Sequence, residues 1–170
     1  MVRGRLLQGA HVSARSRHDP RHRPSLGWPT AVKQAQRAFA VATPGRGLID
    51  VSARVAEVVE ASGVRTGLCV VFCRHTSASL LVTENASPDC HRDLFAWLSR
   101  LAPDGDPAHE HVIEGPDDMP AHLRSALTRT SETIPVSDGR LALGTWQGIY
   151  LLEHRLKGSE RRLVVHVSGE

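Results

Sequence analysis

Apolar and polar residues alternate where the patterned part of the chain begins. Residues 35–43, AQRAFAVAT, have alternating apolar positions, which predict a first strand ended by the turn residues Pro44–Gly47. Residues 48–63 then carry valines at helical spacing, namely Val51, Val55, Val58 and Val59. Asp50 suits the N-terminal cap of this helix, and Gly63 suits its end. The first two elements are therefore expected to be a strand and an amphipathic helix.

The next part of the chain predicts two more strands and a second helix. GLCVVFCRH (67–75) and ASLLVTEN (78–85) are rich in β-forming residues and are separated by polar residues. A helical pattern follows Ser87 and closes before Pro103. Its apolar face is formed by Leu94, Trp97, Leu98 and Leu101.

The rest of the chain predicts a loop, a third helix and a run of strands. Residues 103–118 are rich in Pro, Gly and Asp and read as a loop, and a helix is predicted over residues 120–129. Its core-facing residues are expected to be Leu123, Ala126, Leu127 and Thr130. Strand patterns follow in SETIPV, GRLAL, QGIYLLEHR and RRLVVHVSG. Because no strict βαβ rhythm occurs, we expect an α+β fold: one compact domain with a largely antiparallel or mixed sheet and about three helices.

Charge divides the chain into two unequal parts. The first 40 residues hold eight Lys and Arg but one acid, and the remaining 130 hold 13 basic and 17 acidic residues. Residues 1–30 are therefore predicted to be a basic, disordered extension, and residues 31–170 the folded domain. Nucleic-acid binding through this extension is not favoured, because its arginines are not interleaved with aromatic residues.

The apolar runs and the cysteines limit where the protein acts. No run approaches the ~18 apolar residues of a membrane span, so no membrane partner is expected. Cys69, Cys73 and Cys90 are odd in number and contain no CxxC pair, which favours reduced thiols. A soluble, cytoplasmic protein is the resulting expectation.

The stretch EGPDDMPAH, residues 114–122, concentrates three carboxylates and an imidazole around two prolines. Pro120 suits a first helical turn, and Asp117 or Asp118 can cap it, which leaves the second carboxylate without an ordinary task. The cluster of His111, Glu114, Asp118 and His122 is chemically suited to a divalent cation. Imidazole ligands favour a zinc-like metal, whereas carboxylate ligands favour magnesium.

Two further stretches combine polar residues with glycine or tryptophan. In RHTSASLLVTENASPD, His75, Thr76 and two serines precede a strand, and these groups serve either a site or the turn backbone. In LGTWQGIYLLEHR, Trp146 and Gln147 offer either a ring and an amide to a heteroaromatic ligand, or a hairpin with a buried tryptophan.

Four segments together resemble a known family. HTSASLLVTENASPD, EGPDDMPAH, IPVSDGRLALGTWQGIYLLEHR and RRLVVHVSGE, in this order and spacing, closely resemble the YjbQ family, also called secondary thiamine-phosphate synthase enzymes. The resemblance covers roughly residues 33–170. It implies a compact α+β fold, a homotrimer and a thiamine-phosphate synthase activity. That reaction joins hydroxymethylpyrimidine diphosphate to thiazole phosphate and releases pyrophosphate.

The resemblance also implies roles for residues of this chain. It implies catalytic roles for His75, Glu84, Asn85, Asp118 and His122. It implies substrate binding by Thr76, Gly144, Thr145, Trp146, Gln147 and Glu153. The implied metal ligands are His111, Glu114, Asp118 and His122. Many members read Glu-Gly-Asn where this chain has Glu114-Gly115-Pro116, so that asparagine amide has no counterpart here.

Two other functions fit the same residues. A metal-dependent hydrolase of a phosphorylated small molecule could use the same acids and histidines, and product analysis would separate it from a synthase. A non-catalytic trimeric module that binds a small ligand or metal would show saturable binding without turnover.

Overall fold

The computed structural model describes residues 31–170, which contain eight strands and three helices. The strands are β1 (Lys33–Ala42), β2 (Gly47–Asp50), β3 (Gly67–Cys73), β4 (Ala78–Glu84), β5 (Ser131–Ser137), β6 (Arg140–Leu141), β7 (Gln147–Glu153) and β8 (Glu160–Gly169). The helices are α1 (Ser52–Ser62), α2 (Pro88–Leu101) and α3 (Asp118–Leu127). The predicted α+β class with three helices is confirmed. The predicted extension, residues 1–30, lies outside the described residues.

The strands form two antiparallel sheets. A five-stranded sheet has the order β1-β8-β3-β5-β6, and a three-stranded sheet has the order β2-β7-β4. In the first sheet Cys69 lies opposite Val167, and in the second Leu80 lies opposite Leu151. These residues belong to one apolar core, which the two sheets share with α1.

Helix α1 contributes its valine stripe to that core. Val55, Val58 and Val59 are buried, as the spacing predicts. The predicted start of the helix was too early, because residues 47–50 form β2 and pair with β7. Asp50 still accepts a hydrogen bond from the backbone N–H of Ser52 (2.8 Å). Gly63 ends the helix in the left-handed conformation (φ 64°), as expected of a C-terminal glycine.

Helix α2 covers the other face of the three-stranded sheet. Leu98 is fully buried against Tyr150 and Leu152 in a second apolar cluster. Trp97 and Leu101, on the same predicted apolar face as Leu98, are 47% and 51% exposed. The three-stranded sheet therefore buries only part of the apolar face of α2 within one chain.

Helix α3 buries the face opposite to the one predicted. Ala121, Arg124 and Ser125 are buried, whereas Ala126 and Leu127 are exposed. Polar contacts decide this orientation. The Arg124 guanidinium donates to the Ala102 carbonyl (2.5 Å) and to the carboxylate of Asp104 (2.9 Å). The helix therefore packs through hydrogen bonds where the sequence pattern predicts apolar contact.

Two further findings concern membrane spans and cysteines. Within residues 31–170, no helix has the length and apolarity needed to cross a bilayer. Cys69, Cys73 and Cys90 are all free thiols, and burial raises the pKa of Cys69 to about 11.

Candidate functional site

Two histidines and one aspartate meet at the start of α3. One ligand atom from each of His111, Asp118 and His122 can be chosen so that all three lie within 4.8 Å of one another. His111 Nε2 is 2.8 Å from Asp118 Oδ2, and His122 Nε2 is 3.6 Å from Asp118 Oδ1. The two imidazole rings meet edge to face, with centroids 5.4 Å apart. Three of the four predicted metal ligands are therefore neighbours.

The carboxylate of Asp118 is buried and incompletely paired. Among residues 31–170, no donor makes a hydrogen bond of acceptable geometry to its Oδ2 atom, although His111 Nε2 lies 2.8 Å away. A buried carboxylate oxygen without a donor is costly. Its lone pairs are available to a cation.

The ring of His122 is oriented by a backbone carbonyl. His122 Nδ1 is 3.0 Å from the carbonyl oxygen of Thr76. Because a carbonyl can only accept, Nδ1 carries a proton, and in the neutral form of the ring Nε2 has a free lone pair. This is the arrangement by which proteins orient histidine ligands of metals.

Arg155 binds the acidic residues around this cluster. Its guanidinium donates to Asp117 Oδ2 (3.1 Å), Asp118 Oδ1 (2.5 Å) and the backbone carbonyl of Glu114 (2.8 Å). Burial acts to lower the pKa of Arg155, but the hydrogen bond and charge of Asp117, followed by the other acids, outweigh burial and raise it. The Glu114 carboxylate, 3.4 Å from Arg155 Nη1, is exposed and lies outside the group of three.

The predicted capping role of the aspartates was wrong. Asp117 occupies the N-cap position of α3, but its side chain makes no capping hydrogen bond. Its Oδ2 atom instead accepts from Arg155 and from the backbone N–H of Leu156 (2.7 Å). Burial acts to raise the pKa of Asp117, and these two bonds more than offset it, so the pKa lies below its usual value. Both aspartates join α3 to the segment after β7.

His75 and Glu153 lie near the same end of the three-stranded sheet. His75 Nε2 accepts a hydrogen bond from the backbone N–H of Arg162 (2.7 Å), and burial followed by Arg161 lowers the His75 pKa. Glu153 is fully buried and binds Arg161 through both oxygens (2.7 and 2.6 Å) and Thr43 through one (2.8 Å). Its carboxylate is thus fully engaged by the protein.

The remaining predicted site residues lie at the opposite end of that sheet. In the pairing of β4 with β7, Ala78 lies opposite Glu153 and Glu84 lies opposite Gln147. Six residues of strand separate these two ends, a distance of about 20 Å. One chain therefore holds two groups of predicted site residues. The group far from the cluster consists of Glu84, Asn85, Gly144, Thr145, Trp146 and Gln147.

The distant group forms a tight, hydrogen-bonded turn. The Asn85 amide donates to the carbonyls of Thr145 and Gln147 (3.3 Å each), and the Asn85 backbone N–H donates to Trp146 (3.1 Å). Gln147 Oε1 accepts from the N–H of Gly144 (2.8 Å). The Trp146 side chain is 66% exposed, so it is not the buried tryptophan of a hairpin.

Sequence reasoning missed the buried dyad of Ser79 and His154. Ser79 Oγ and His154 Nε2 are 2.7 Å apart, and both side chains are fully buried. Burial, and after it the charge of Arg124, lowers the pKa of His154 to about 4. The available signal was a histidine directly after an apolar strand, a position that favours burial.

Known proteins are similar to nearly the whole described chain. The family model for UPF0047 protein YjbQ-like matches residues 37–170. A UPF0047 protein of Synechocystis sp. is 52% identical over 138 residues, which cover 81% of this chain and 94% of the relative. UPF0047 protein YjbQ of Escherichia coli is 44% identical over 107 residues, which cover 63% of this chain and 77% of the relative.

A solved structure supports the same assignment. The crystal structure of a YbjQ-like protein of unknown function from Sulfolobus solfataricus superposes with a TM-score of 0.76 at 27% identity. The match covers 82% of this chain and 100% of that chain. The fold, the matched residues and the identities agree, and the chain belongs to the UPF0047 (YjbQ-like) family.

Proposed function

We propose that His111, Asp118 and His122 bind a divalent transition-metal ion and that this site acts on a phosphorylated small molecule. The observation that carries the proposal is the buried Asp118 carboxylate, whose Oδ2 atom has no hydrogen-bond donor within residues 31–170 and whose oxygens lie near His111 and His122. Two imidazoles and one carboxylate are a ligand set that suits zinc-like metals better than magnesium. Three protein ligands leave a coordination position for substrate or water, as in catalytic metal sites.

Glu114, the fourth predicted ligand, is not assigned to the metal in this proposal. Its carboxylate is exposed and contacts Arg155, so it joins the metal only if it leaves that arginine. Arg155 meanwhile binds Asp118 Oδ1, and Asp118 Oδ2 is left beside His111 Nε2, 2.8 Å away. We therefore assign three ligands to the metal and Arg155 to the orientation of Asp118.

The specific activity that we propose is thiamine-phosphate synthesis. Its support is the resemblance of four segments to the YjbQ family. Departure of pyrophosphate from the pyrimidine carbon builds negative charge, and the metal, when bound, would stabilise that charge. Arg74 is exposed and precedes His75 in the chain, and we assign it to the binding of a substrate phosphate.

A trimer gives the distant Trp146 turn a place in this chemistry. A ring bound at the metal cluster cannot stack on Trp146 of the same chain, about 20 Å away along β4. In the proposed homotrimer, the turn of one copy would lie against the cluster of the next. The substrate ring would then stack on the exposed indole of a neighbouring subunit.

Mixed trimers test this arrangement. Chains carrying His122→Ala are combined with chains carrying Trp146→Ala, each inactive alone, by unfolding and refolding them together. A site that combines the cluster of a Trp146→Ala chain with the turn of a His122→Ala chain would contain an intact His122 and an intact Trp146, so part of the synthase activity should reappear. Mixed trimers without activity would refute a site shared between copies.

A hydrolase of phosphorylated small molecules is the second candidate. Hydrolysis needs the metal cluster and a water molecule, and all residues of that cluster lie within one chain. The two functions are separated by product analysis of zinc-loaded protein with hydroxymethylpyrimidine diphosphate, with and without thiazole phosphate. Thiamine phosphate supports the synthase, whereas hydroxymethylpyrimidine phosphate in both mixtures supports the hydrolase.

Metal content is the first measurement. Protein purified without chelators or a histidine tag should carry close to one transition-metal ion per chain by elemental analysis. The Asp118→Asn variant should lose it. Wild-type protein that binds no added zinc at micromolar concentration would refute the metal site.

A further inference from the structure

The helix that carries two of the proposed ligands is attached to its neighbour by polar side chains. His122, Ser125 and Thr128 are spaced by three residues and therefore lie along one side of α3 and its C-terminal residue. Each one contacts the segment 76–79. The contacts are His122 Nδ1 with the Thr76 carbonyl (3.0 Å), Ser125 Oγ with the Ala78 carbonyl (3.2 Å), and Thr128 Oγ1 with Ser79 Oγ (2.7 Å).

The last of these contacts continues into the protein interior. Ser79 Oγ is 2.7 Å from His154 Nε2, and both side chains have no exposed surface. Thr128 Oγ1 is also 2.8 Å from the carbonyl of Arg124, one turn earlier. His154, Ser79, Thr128 and the helix backbone thus form a continuous chain of hydrogen-bonding groups.

The positions of the protons in this series of hydrogen bonds follow from the requirement that each buried donor has an acceptor. If His154 Nε2–H donates to Ser79, Ser79 can donate to Thr128, and Thr128 to the carbonyl of Arg124. His154 Nδ1, which has no partner, is then an unused acceptor. The reverse order would leave a buried Nδ1–H without an acceptor, and orphaned N–H groups are rarer than under-used acceptors. The donors of this series of hydrogen bonds therefore point from His154, directly after β7, toward the backbone of α3.

A small rotation of α3 would disturb the ligand set. A side-chain atom about 6 Å from the helix axis moves by about 1 Å when the helix rolls by about 10°. Functional groups need placement within about 0.5 Å. The buried apolar residues of α3, Pro120 and Ala121, lie in its first half, and the Arg124 hydrogen bonds hold its middle. Leu127, near its C-terminal end, is exposed, so at that end the contacts of Thr128 limit the roll.

We infer that Ser79, Thr128 and His154 are positioning residues for the His122 and Asp118 side chains. They act through the helix, because their hydrogen bonds fix its roll about its own axis. The expected effect on metal affinity rests on the proposed metal site. The positioning of the two side chains is a property of the metal-free protein.

The test compares hydroxyl removal with hydroxyl retention at one position. Thr128→Val keeps the side-chain volume but removes the hydroxyl, whereas Thr128→Ser keeps the hydroxyl. Ser79→Ala removes the middle of the chain, and Ser137→Ala removes an exposed hydroxyl on β5 as a control. Circular dichroism and thermal unfolding identify the folded variants. Thr128 is only half-buried, so its variants give a folded protein for comparison.

Two readouts separate this inference from the proposed metal site. The first is the tautomer of the His122 ring, measured from its ¹⁵N shifts in metal-free protein. It should be entirely Nδ1–H in the wild type, Thr128→Ser and Ser137→Ala, and mixed in Thr128→Val and Ser79→Ala. The second is zinc affinity by competition with a chromophoric chelator, which should fall about tenfold in the latter two variants.

The two ideas fail in different ways. Wild-type protein that binds no zinc refutes the metal site, and the tautomer experiment still decides the positioning role. An unchanged tautomer in both Thr128→Val and Ser79→Ala overturns the inference. Equal effects of Thr128→Val and Thr128→Ser overturn it as well, because they assign the effect to packing.

Discussion

The buried histidine His154 should make the stability of this protein depend on pH. Burial, and after it the positive charge of Arg124, lowers its pKa from the ordinary 6.5 to about 4, although Glu153 acts in the opposite direction. In the unfolded chain the imidazole takes up a proton near pH 6.5, whereas in the folded protein it resists protonation until about pH 4. The unfolded state therefore binds more protons in this interval, and folding stability falls as the pH falls.

The size of the effect follows from the shift. Each pKa unit corresponds to about 1.4 kcal/mol, and the two protonation equilibria together give a loss of about 2 kcal/mol between pH 7.5 and pH 5. The loss reaches about 3 kcal/mol at pH 4. A domain of this size has only about 5–15 kcal/mol of total stability, so the change is large enough to measure.

Urea unfolding at a series of pH values measures it. The His154→Gln variant keeps an amide that can bond to Ser79 but does not titrate, so its pH profile should lack this contribution. Asp104, Asp117 and Glu153 also have lowered pKa values, so their contributions to folding stability are also lost as the pH falls. These losses occur equally in the wild type and in His154→Gln. The difference between the two profiles isolates His154, provided that protein concentration is held constant. Parallel profiles from pH 7.5 to 5 would refute the reasoning, as would an NMR titration that places the His154 pKa near 6.5.

Three further predictions concern the site and the core. Asp118→Asn should weaken zinc binding at least tenfold, measured by chelator competition, because the amide lacks the charge of the carboxylate whose Oδ2 is unpaired; unchanged affinity would remove Asp118 from the ligand set. Leu98→Ala should destabilise the protein by about 2–5 kcal/mol in urea unfolding, whereas Leu101→Ala, at a half-exposed site, should cost less than about 1 kcal/mol; similar losses would contradict the described packing of α2. Gly158→Ala should cost about 2 kcal/mol or more, because its Cβ would lie 1.9 Å from a backbone oxygen, whereas a Cβ at Gly47 would meet nothing nearer than 3.9 Å. Equal unfolding midpoints for Gly158→Ala and Gly47→Ala would refute that difference.

Several elements of the fold could be read from the sequence because they depend on short-range spacing. The valines of α1 recur at the helical period, and all three that lie within the helix are buried. The strand patterns of residues 67–75, 78–85 and 161–169 were likewise recognisable from β-forming residues. These patterns repeat within a few residues, so they require no knowledge of distant parts of the chain.

Helix α3 shows where such reasoning fails. Its apolar residues predicted that Leu127 would face the core, but Leu127 is exposed and Arg124 is fully buried. Arg124 can be buried because Asp104 and the Ala102 carbonyl lie at the right distance to accept its hydrogen bonds. The position of those acceptors depends on the path of the preceding loop, which residue spacing does not specify.

The candidate site divides in the same way. By itself, the sequence determined that acids and histidines are concentrated in residues 111–122, because composition is local. Only the tertiary structure decided that Arg155, 37 residues beyond Asp118, occupies one carboxylate oxygen while the other has no donor. It also decided that the Trp146 turn lies at one end of the paired strands β4 and β7, whereas the cluster contacts Thr76 at the other end, about 20 Å away along β4.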